Sequence, residues 1–408
     1  MNLKTMKKYA EIAVVMGANV QPNQDVEIHS SLENAPFAQC LVEECYKAGA
    51  RRVKVEWNHT GISRLKLLNE SVDTLSEITE ELKGRLEDRL KKPCVRILVY
   101  DEDPSAYNGI PMEKLIEPRK RTYEFMKPYN DALYNQAQWL IISMPTMVWA
   151  KQVYPKMEVE KAYKKLEKNI IQCMRLDQED PVGAWKAHMA NLLDKATKMN
   201  EYHFKTLKYT SSNGTDFSVG LHPDHVWMAA EEHYKNGVIG VPNMPTEEVF
   251  TFPEKYSANG IVYSSKPLSY NGNLIEDFSI TFKEGKAIKC SAKKGKKHLE
   301  EMIKMDEGAA YLGEVALVPF SSPINQTGAL FLNTLFDENA ACHLALGKGL
   351  LECLKDSEGQ SDEVLKERGY NDSMIHVDFM IGYKDTHIVG IQEDGTEITV
   401  FENGMWAI

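Results

Sequence analysis

Four short apolar runs, Asp25–His29, Val53–Trp57, Val95–Tyr100 and Trp139–Ser143, alternate with helix-patterned segments, and this alternation limits the fold of the first half more than any other feature. Asn34 followed by Ala35-Pro36 reads as a cap with proline near the first helical position, and the helix it opens stops at Gly49, where a left-handed residue costs little. Thr74–Lys92 and Glu113–Lys127 supply the next helices. A strand that pairs parallel with its predecessor needs such a crossover, so the pattern predicts an α/β domain with a mostly parallel sheet. Before it, Met6, Tyr9, Ile12, Ala13 and Met16 trace one face of an amphipathic helix. After it, helical stretches about Val159–Cys173 and Gly183–Asn200 lead away.

From His203 the texture changes to short strands with turn signals at Asn213-Gly214, Asn271-Gly272, Glu284-Gly285 and Asp394-Gly395. The second half is expected to be α+β and mainly antiparallel, with helices near Lys297–Glu307 and Asp337–Leu351. The expected division is an α/β N-terminal domain over 1–200 and a catalytic domain over 201–408.

Composition excludes several classes. A formal net charge of −11 and a pI near 5.6 do not provide the concentrated Lys and Arg that phosphate neutralisation needs, so no nucleic-acid partner is expected. The local basic run Lys293–Lys297 reads as a solvated turn and helix start. The apolar run Trp139–Ala150 is too short to span a bilayer and contains Pro145. No Gly-x-Gly-x-x-Gly follows the first strand and no Gly-Lys-Ser/Thr loop occurs, which disfavours a nucleotide cofactor. The seven cysteines are scattered without Cys-x-x-Cys spacing, a pattern of reduced thiols; with Glu11 interrupting the first apolar segment, a cytoplasmic location is expected.

The chemistry-bearing residues lie in the second half. In Ile375-His376-Val377-Asp378-Phe379, strand alternation puts His376 and Asp378 on one face. Glu314 is embedded in the apolar run Leu312–Val318, where a carboxylate must be paired, protonated or coordinated. Glu248 adjoins Val249-Phe250, with Glu247 as its solvated neighbour. His343 is placed on a helix capped by Asp337, sharing a face with Asn339, while Cys342 beside it reads as a core residue. Three carboxylates and two imidazoles make a mixed oxygen and nitrogen set that suits zinc, cobalt or manganese better than calcium. Five ligands exceed one tetrahedral structural site, so a pair of ions and hydrolysis of an amide or ester are expected.

Lys8-Tyr9-Ala10, Asn213-Gly214-Thr215-Asp216, Pro245–Phe250, Leu312–Pro319 and above all Phe331-x-Asn333-Thr334-Leu335-Phe336-Asp337-Glu338-Asn339-Ala340-x-x-His343-x-Ala345-Leu346-Gly347 resemble the thermophilic metalloprotease family of aminopeptidases over nearly the whole chain. The resemblance implies a homodimeric exopeptidase acting on peptides with two divalent ions, zinc or cobalt, with manganese or magnesium as further options. Its metal ligands fall on Glu248, Glu314, His343, His376 and Asp378. Glu338 is a candidate general base or, equally, a helix-capping acid. One departure stands out: members usually carry a tyrosine shortly after the histidine of the long motif, whereas Leu350 occupies that place here. Either Tyr383 takes over the electrophilic part or the metals suffice. The alternatives are a related metal-dependent amidase or narrow-specificity peptidase, or an inactive metal- and peptide-binding homologue.

Overall fold

The computed structural model describes residues 1–100, 103, 106–270 and 272–408. The chain forms two compact units, one of Met1–Lys186 with Glu231–Met244 and the other of Ala187–Ala230 with Pro245–Ile408.

In the first unit, β1 (Asp25–Ser31), β2 (Arg52–Asn58), β3 (Val95–Tyr100) and β4 (Trp139–Ser143) form a parallel sheet in the order β2-β1-β3-β4. The helix Leu3–Ile12 starts where the Asn2 side chain accepts from the Thr5 N–H. It buries Tyr9, whose ring lies 5.0 Å from Phe37 and whose hydroxyl donates to the Ser143 carbonyl at 2.9 Å. The single helix expected over Thr74–Lys92 is instead two, Val72–Leu75 and Glu80–Lys91. Ser71 accepts from Thr74 N–H and Thr79 from Leu82 N–H, so two caps start two helices where charge patterning suggested one.

The second unit contains, among the described residues, a nine-stranded antiparallel sheet and a separate four-stranded one. The turns at Asn213-Gly214, Glu284-Gly285 and Asp394-Gly395 each join paired strands of the larger sheet. Asn271 lies outside the described residues. Lys293–Lys297 does form the end of a strand and the start of the helix Lys296–Ile303, turning at Gly295 with φ +76°.

The helix expected over Asp337–Leu351 does not form. Thr334–Asp337 makes one helical turn, Glu338–Ala340 a 3-10 turn, and His343–Gly347 is a strand with every residue buried. Asp337 does not cap a helix start: its carboxylate accepts from the N–H groups of Phe331 at 2.7 Å and Asn333 at 3.1 Å. A central strand covered on both faces has no polar periodicity, so a five-residue apolar run cannot be told from a buried helix by pattern.

His225, 2% exposed, donates Nδ1–H to the His222 carbonyl at 2.6 Å and stacks on His203 at 4.8 Å between centroids. Its Nε2 has no hydrogen-bond partner among the described residues. Burial drives its pKa down from 6.5 to about 4. The unfolded chain takes up this proton near 6.5 and the folded one only near 4, so stability is lost as pH falls through that window, by up to about 3 kcal/mol. Urea unfolding between pH 7 and 4 should show this slope, and His225→Gln should flatten it; an unchanged slope would refute the assignment.

Candidate metal centre

The four-stranded sheet runs His376–Met380, His343–Gly347, Leu312–Leu317, Val249–Thr251, antiparallel throughout. Its register explains why distant residues meet. Glu314 pairs with Ala345 and Ala345 with Asp378, forming one row across three strands. Cross-strand partners share a face and alternate residues repeat it, so His343 and His376 join that row's face. Ala316 pairs with Phe250 on one side and His343 on the other, which brings Glu248, two residues before Phe250, to the same side. Between the acids the face carries Ala345, and opposite His376 it carries Gly347. Small residues leave room above the sheet for the larger side chains to converge.

They converge on Glu314. His343 Nε2 lies 3.2 Å from Glu248 Oε2 and 3.8 Å from Glu314 Oε1, while His376 Nε2 lies 3.0 Å from Glu314 Oε2 and 3.3 Å from Asp378 Oδ1. The groups Glu248, Glu314, His343 and Glu314, His376, Asp378 each present ligand atoms within 4.8 Å of one another. Each imidazole is oriented through its other nitrogen. Nδ1 of His343 donates to the Ala341 carbonyl at 3.2 Å and Nδ1 of His376 to the Lys348 carbonyl at 2.7 Å. Both Nε2 atoms are thereby turned toward the acids, and with Nδ1–H held by a carbonyl, loss of the Nε2 proton when a cation binds leaves there the lone pair that metal ligation requires. All of these side chains are largely buried except His376, whose side chain is 28% exposed and marks the open side.

Electrostatics make the same point. Burial, with the Asp378 charge, pushes Glu314 up to about 7 against the pull of His376 and His343. Burial would lower His343, but the Glu248 hydrogen bond and the charges of Glu248, Glu314 and Asp378 outweigh it and raise it to about 9. Glu338 joins the cluster: burial and the charges of Asp378, Glu248 and Glu314 push its carboxyl well above the usual range. Acids crowded until one holds its proton, and imidazoles forced to keep theirs, form a set that a cation relieves. Asp378 Oδ1 is, in addition, a buried oxygen with no hydrogen-bond partner among the described residues. The donor set fits divalent ions.

Of the residues expected from sequence, Glu248, Glu314, His343, His376 and Asp378 come together, with Glu338 beside them. Tyr383 lies beyond the strand His376–Met380 in a turn where its N–H donates to Thr386 Oγ1 at 2.7 Å; among the described residues its hydroxyl makes no hydrogen bond to the cluster. Leu350 packs against an apolar group that includes Phe252, Leu354 and Tyr370.

Two sequence expectations need correction. His343 sits on a strand, so it shares no helix face with Asn339, whose side-chain oxygen instead accepts from Glu247 N–H at 2.7 Å. Glu247 is 3% exposed rather than solvated, with an oxygen 3.4 Å from His188 Nε2, which also bonds the Thr246 carbonyl at 2.8 Å. His188 therefore fixes the segment that delivers Glu248 from 58 positions away, and no local pattern announced it. Cys342 is a core residue as expected, donating its thiol to the Val318 carbonyl at 3.3 Å.

Residues 2–406 match the thermophilic metalloprotease (M29) family. Aminopeptidase PepS of Streptococcus thermophilus is 40% identical over 407 residues, covering 99% of this chain and 98% of that one. Aminopeptidase T of Thermus thermophilus is 36% identical over 407 residues, covering 99% of each. The solved structure of wild-type AmpT from Thermus thermophilus superposes with a TM-score of 0.91 at 34% identity over 99% of both chains. A dioxygenase from Pseudomonas putida KT2440, 12% identical with a TM-score of 0.55 over 100% of this chain and 98% of that one, shares the fold alone. The chain belongs to the thermophilic metalloprotease family and is a metal-dependent peptidase.

The Lys348 carbonyl can reach His376 because Gly313 has no side chain: a Cβ there would meet that oxygen at 2.2 Å and the Gly347 carbonyl at 2.5 Å. Gly313→Ala should displace the carbonyl, release His376 Nδ1 and weaken metal binding by about 10–100-fold, the usual cost of losing a ligand-orienting contact. Competition titration against a chelator checks this; unchanged affinity would mean the carbonyl does not orient the ring.

Proposed function

We propose that this family member is an aminopeptidase that releases N-terminal residues from peptides at a pair of divalent ions, zinc or cobalt, with manganese or magnesium as substitutes. The observation that carries the reading is the division of Glu314, whose Oε1 faces His343 and Oε2 faces His376. Glu248, Glu314 and His343 would hold one ion and Glu314, His376 and Asp378 the other, with Glu314 common to both groups. When bound, such ions lower the pKa of a water and polarise the scissile carbonyl.

The chain's own groups supply the rest. Glu338, held next to Asp378, is the residue assigned to carry a proton between the attacking water and the leaving amine at its carboxylate oxygens. The open flank at His376 is the entry side. Leu350 brings no hydroxyl to the reaction, which leaves Tyr383 or the ions alone for the developing oxyanion. The catalytic part is assigned to residues 201–408, and the enzyme is assigned to the cytoplasm as a homodimer, both on the family resemblance and the composition. A narrow-specificity peptidase or amidase is the second reading, favoured by Leu350; digestion of a peptide library distinguishes it.

Metal-loaded protein should cleave aminoacyl-p-nitroanilides and leave their N-acetylated forms intact. Equal cleavage of both, or of neither, would overturn the proposal. Glu314→Gln should abolish turnover and leave fewer than two ions per chain by elemental analysis, since it replaces one of two carboxylate oxygens that each face a different triad; two ions retained would refute the shared role of Glu314.

A further inference from the structure

An ammonium group beside the candidate centre has no part in the chemistry above. Lys266 lies in the short connection 264–267 between the strands Asn259–Tyr263 and Leu268–Tyr270. That connection is pinned on both sides. Ser264 N–H donates to the Phe278 carbonyl at 2.8 Å and its hydroxyl accepts from Phe278 N–H at 3.1 Å. Ser265 N–H donates to the carbonyl of Met380 at 2.8 Å, the last residue of the strand that carries His376 and Asp378.

Lys266 is half-buried, yet among the described residues no carboxylate lies within ion-pair distance of its ammonium. The acid whose charge acts on it is Asp337, and both Asp337 oxygens are already engaged by the N–H groups of Phe331 and Asn333. The neighbouring Ser265 hydroxyl is buried with no hydrogen-bond partner among the described residues. Removing an unpaired cation from water is costly, and burial accordingly lowers the Lys266 pKa. A pinned segment whose successive residues carry an ammonium without a carboxylate partner and an unused hydroxyl offers groups that an anion would satisfy.

Its position says which anion. Met380 is two residues past Asp378, about 7 Å along a strand, and Asp337 directly precedes Glu338, whose carboxyl interacts electrostatically with Asp378. An extended peptide covers about 3.3–3.6 Å per residue, so a group bound here sits one or two residues from a bond held at the cluster. We propose that Lys266 and Ser265 form a subsite for the terminal carboxylate of a short peptide, so that the preferred substrates are di- and tripeptides with a free carboxyl end. This rests on the aminopeptidase reading and adds the substrate class to it.

The test compares Ala-Ala and Ala-Ala-Ala with their C-terminal amides, by kcat/KM and by calorimetric binding. The wild-type enzyme should favour the free acids by about tenfold or more, the usual worth of a charge-assisted contact. Lys266→Met should bring the acid-to-amide ratio close to one, and Lys266→Arg should keep part of it. Thermal melting separates loss of the subsite from loss of fold. Equal wild-type handling of acid and amide overturns the proposal whatever the variants do, as does an unchanged ratio in Lys266→Met. If neither peptide is cleaved, the aminopeptidase reading fails, while a binding preference for the acid that disappears in Lys266→Met still supports the subsite.

Discussion

Several carboxylates and two imidazoles converge on one face of a small sheet, most of them buried, and the surroundings are built to tolerate that crowding. A buried carboxylate beside another is expensive unless something positive stands between them. The two histidines stand between the acids and link them through Glu314. The same atoms would serve as ligands to a cation. The backbone carbonyls of Ala341 and Lys348 hold the rings in one orientation whatever Nε2 faces.

The fold delivers these groups by register rather than by sequence proximity. Glu314 and Asp378 are far apart in the chain, yet one row of pairing through Ala345 sets them side by side. Glu248 arrives from a segment anchored separately by His188 and Asn339.

Much of this was legible in the sequence. The strand-helix alternation gave the parallel sheet of the first unit, the turn dipeptides gave hairpins of the second, and the five residues that converge could be named because acids and imidazoles in apolar runs need partners. The conformation around His343 was not legible, since a fully buried strand carries no alternation and the Asp337 to His343 stretch mimics a capped helix. Glu247 was misread for a related reason: its burial depends on His188, whose distance in sequence leaves no local mark. The orienting carbonyls and the Gly313 approach belong to the backbone and have no residue signature at all.

Ala345 stands between the two flanking acids, and its methyl group is all the side chain that separates Glu314 from Asp378 along their row. The spacing of the backbones that carry those carboxylates is thereby set by strand pairing, which is stiff, and only the side-chain rotamers are left to adjust. A metal held there would meet donors carried on a stiff frame, so its preference would depend on the sheet as well as on the ligand types.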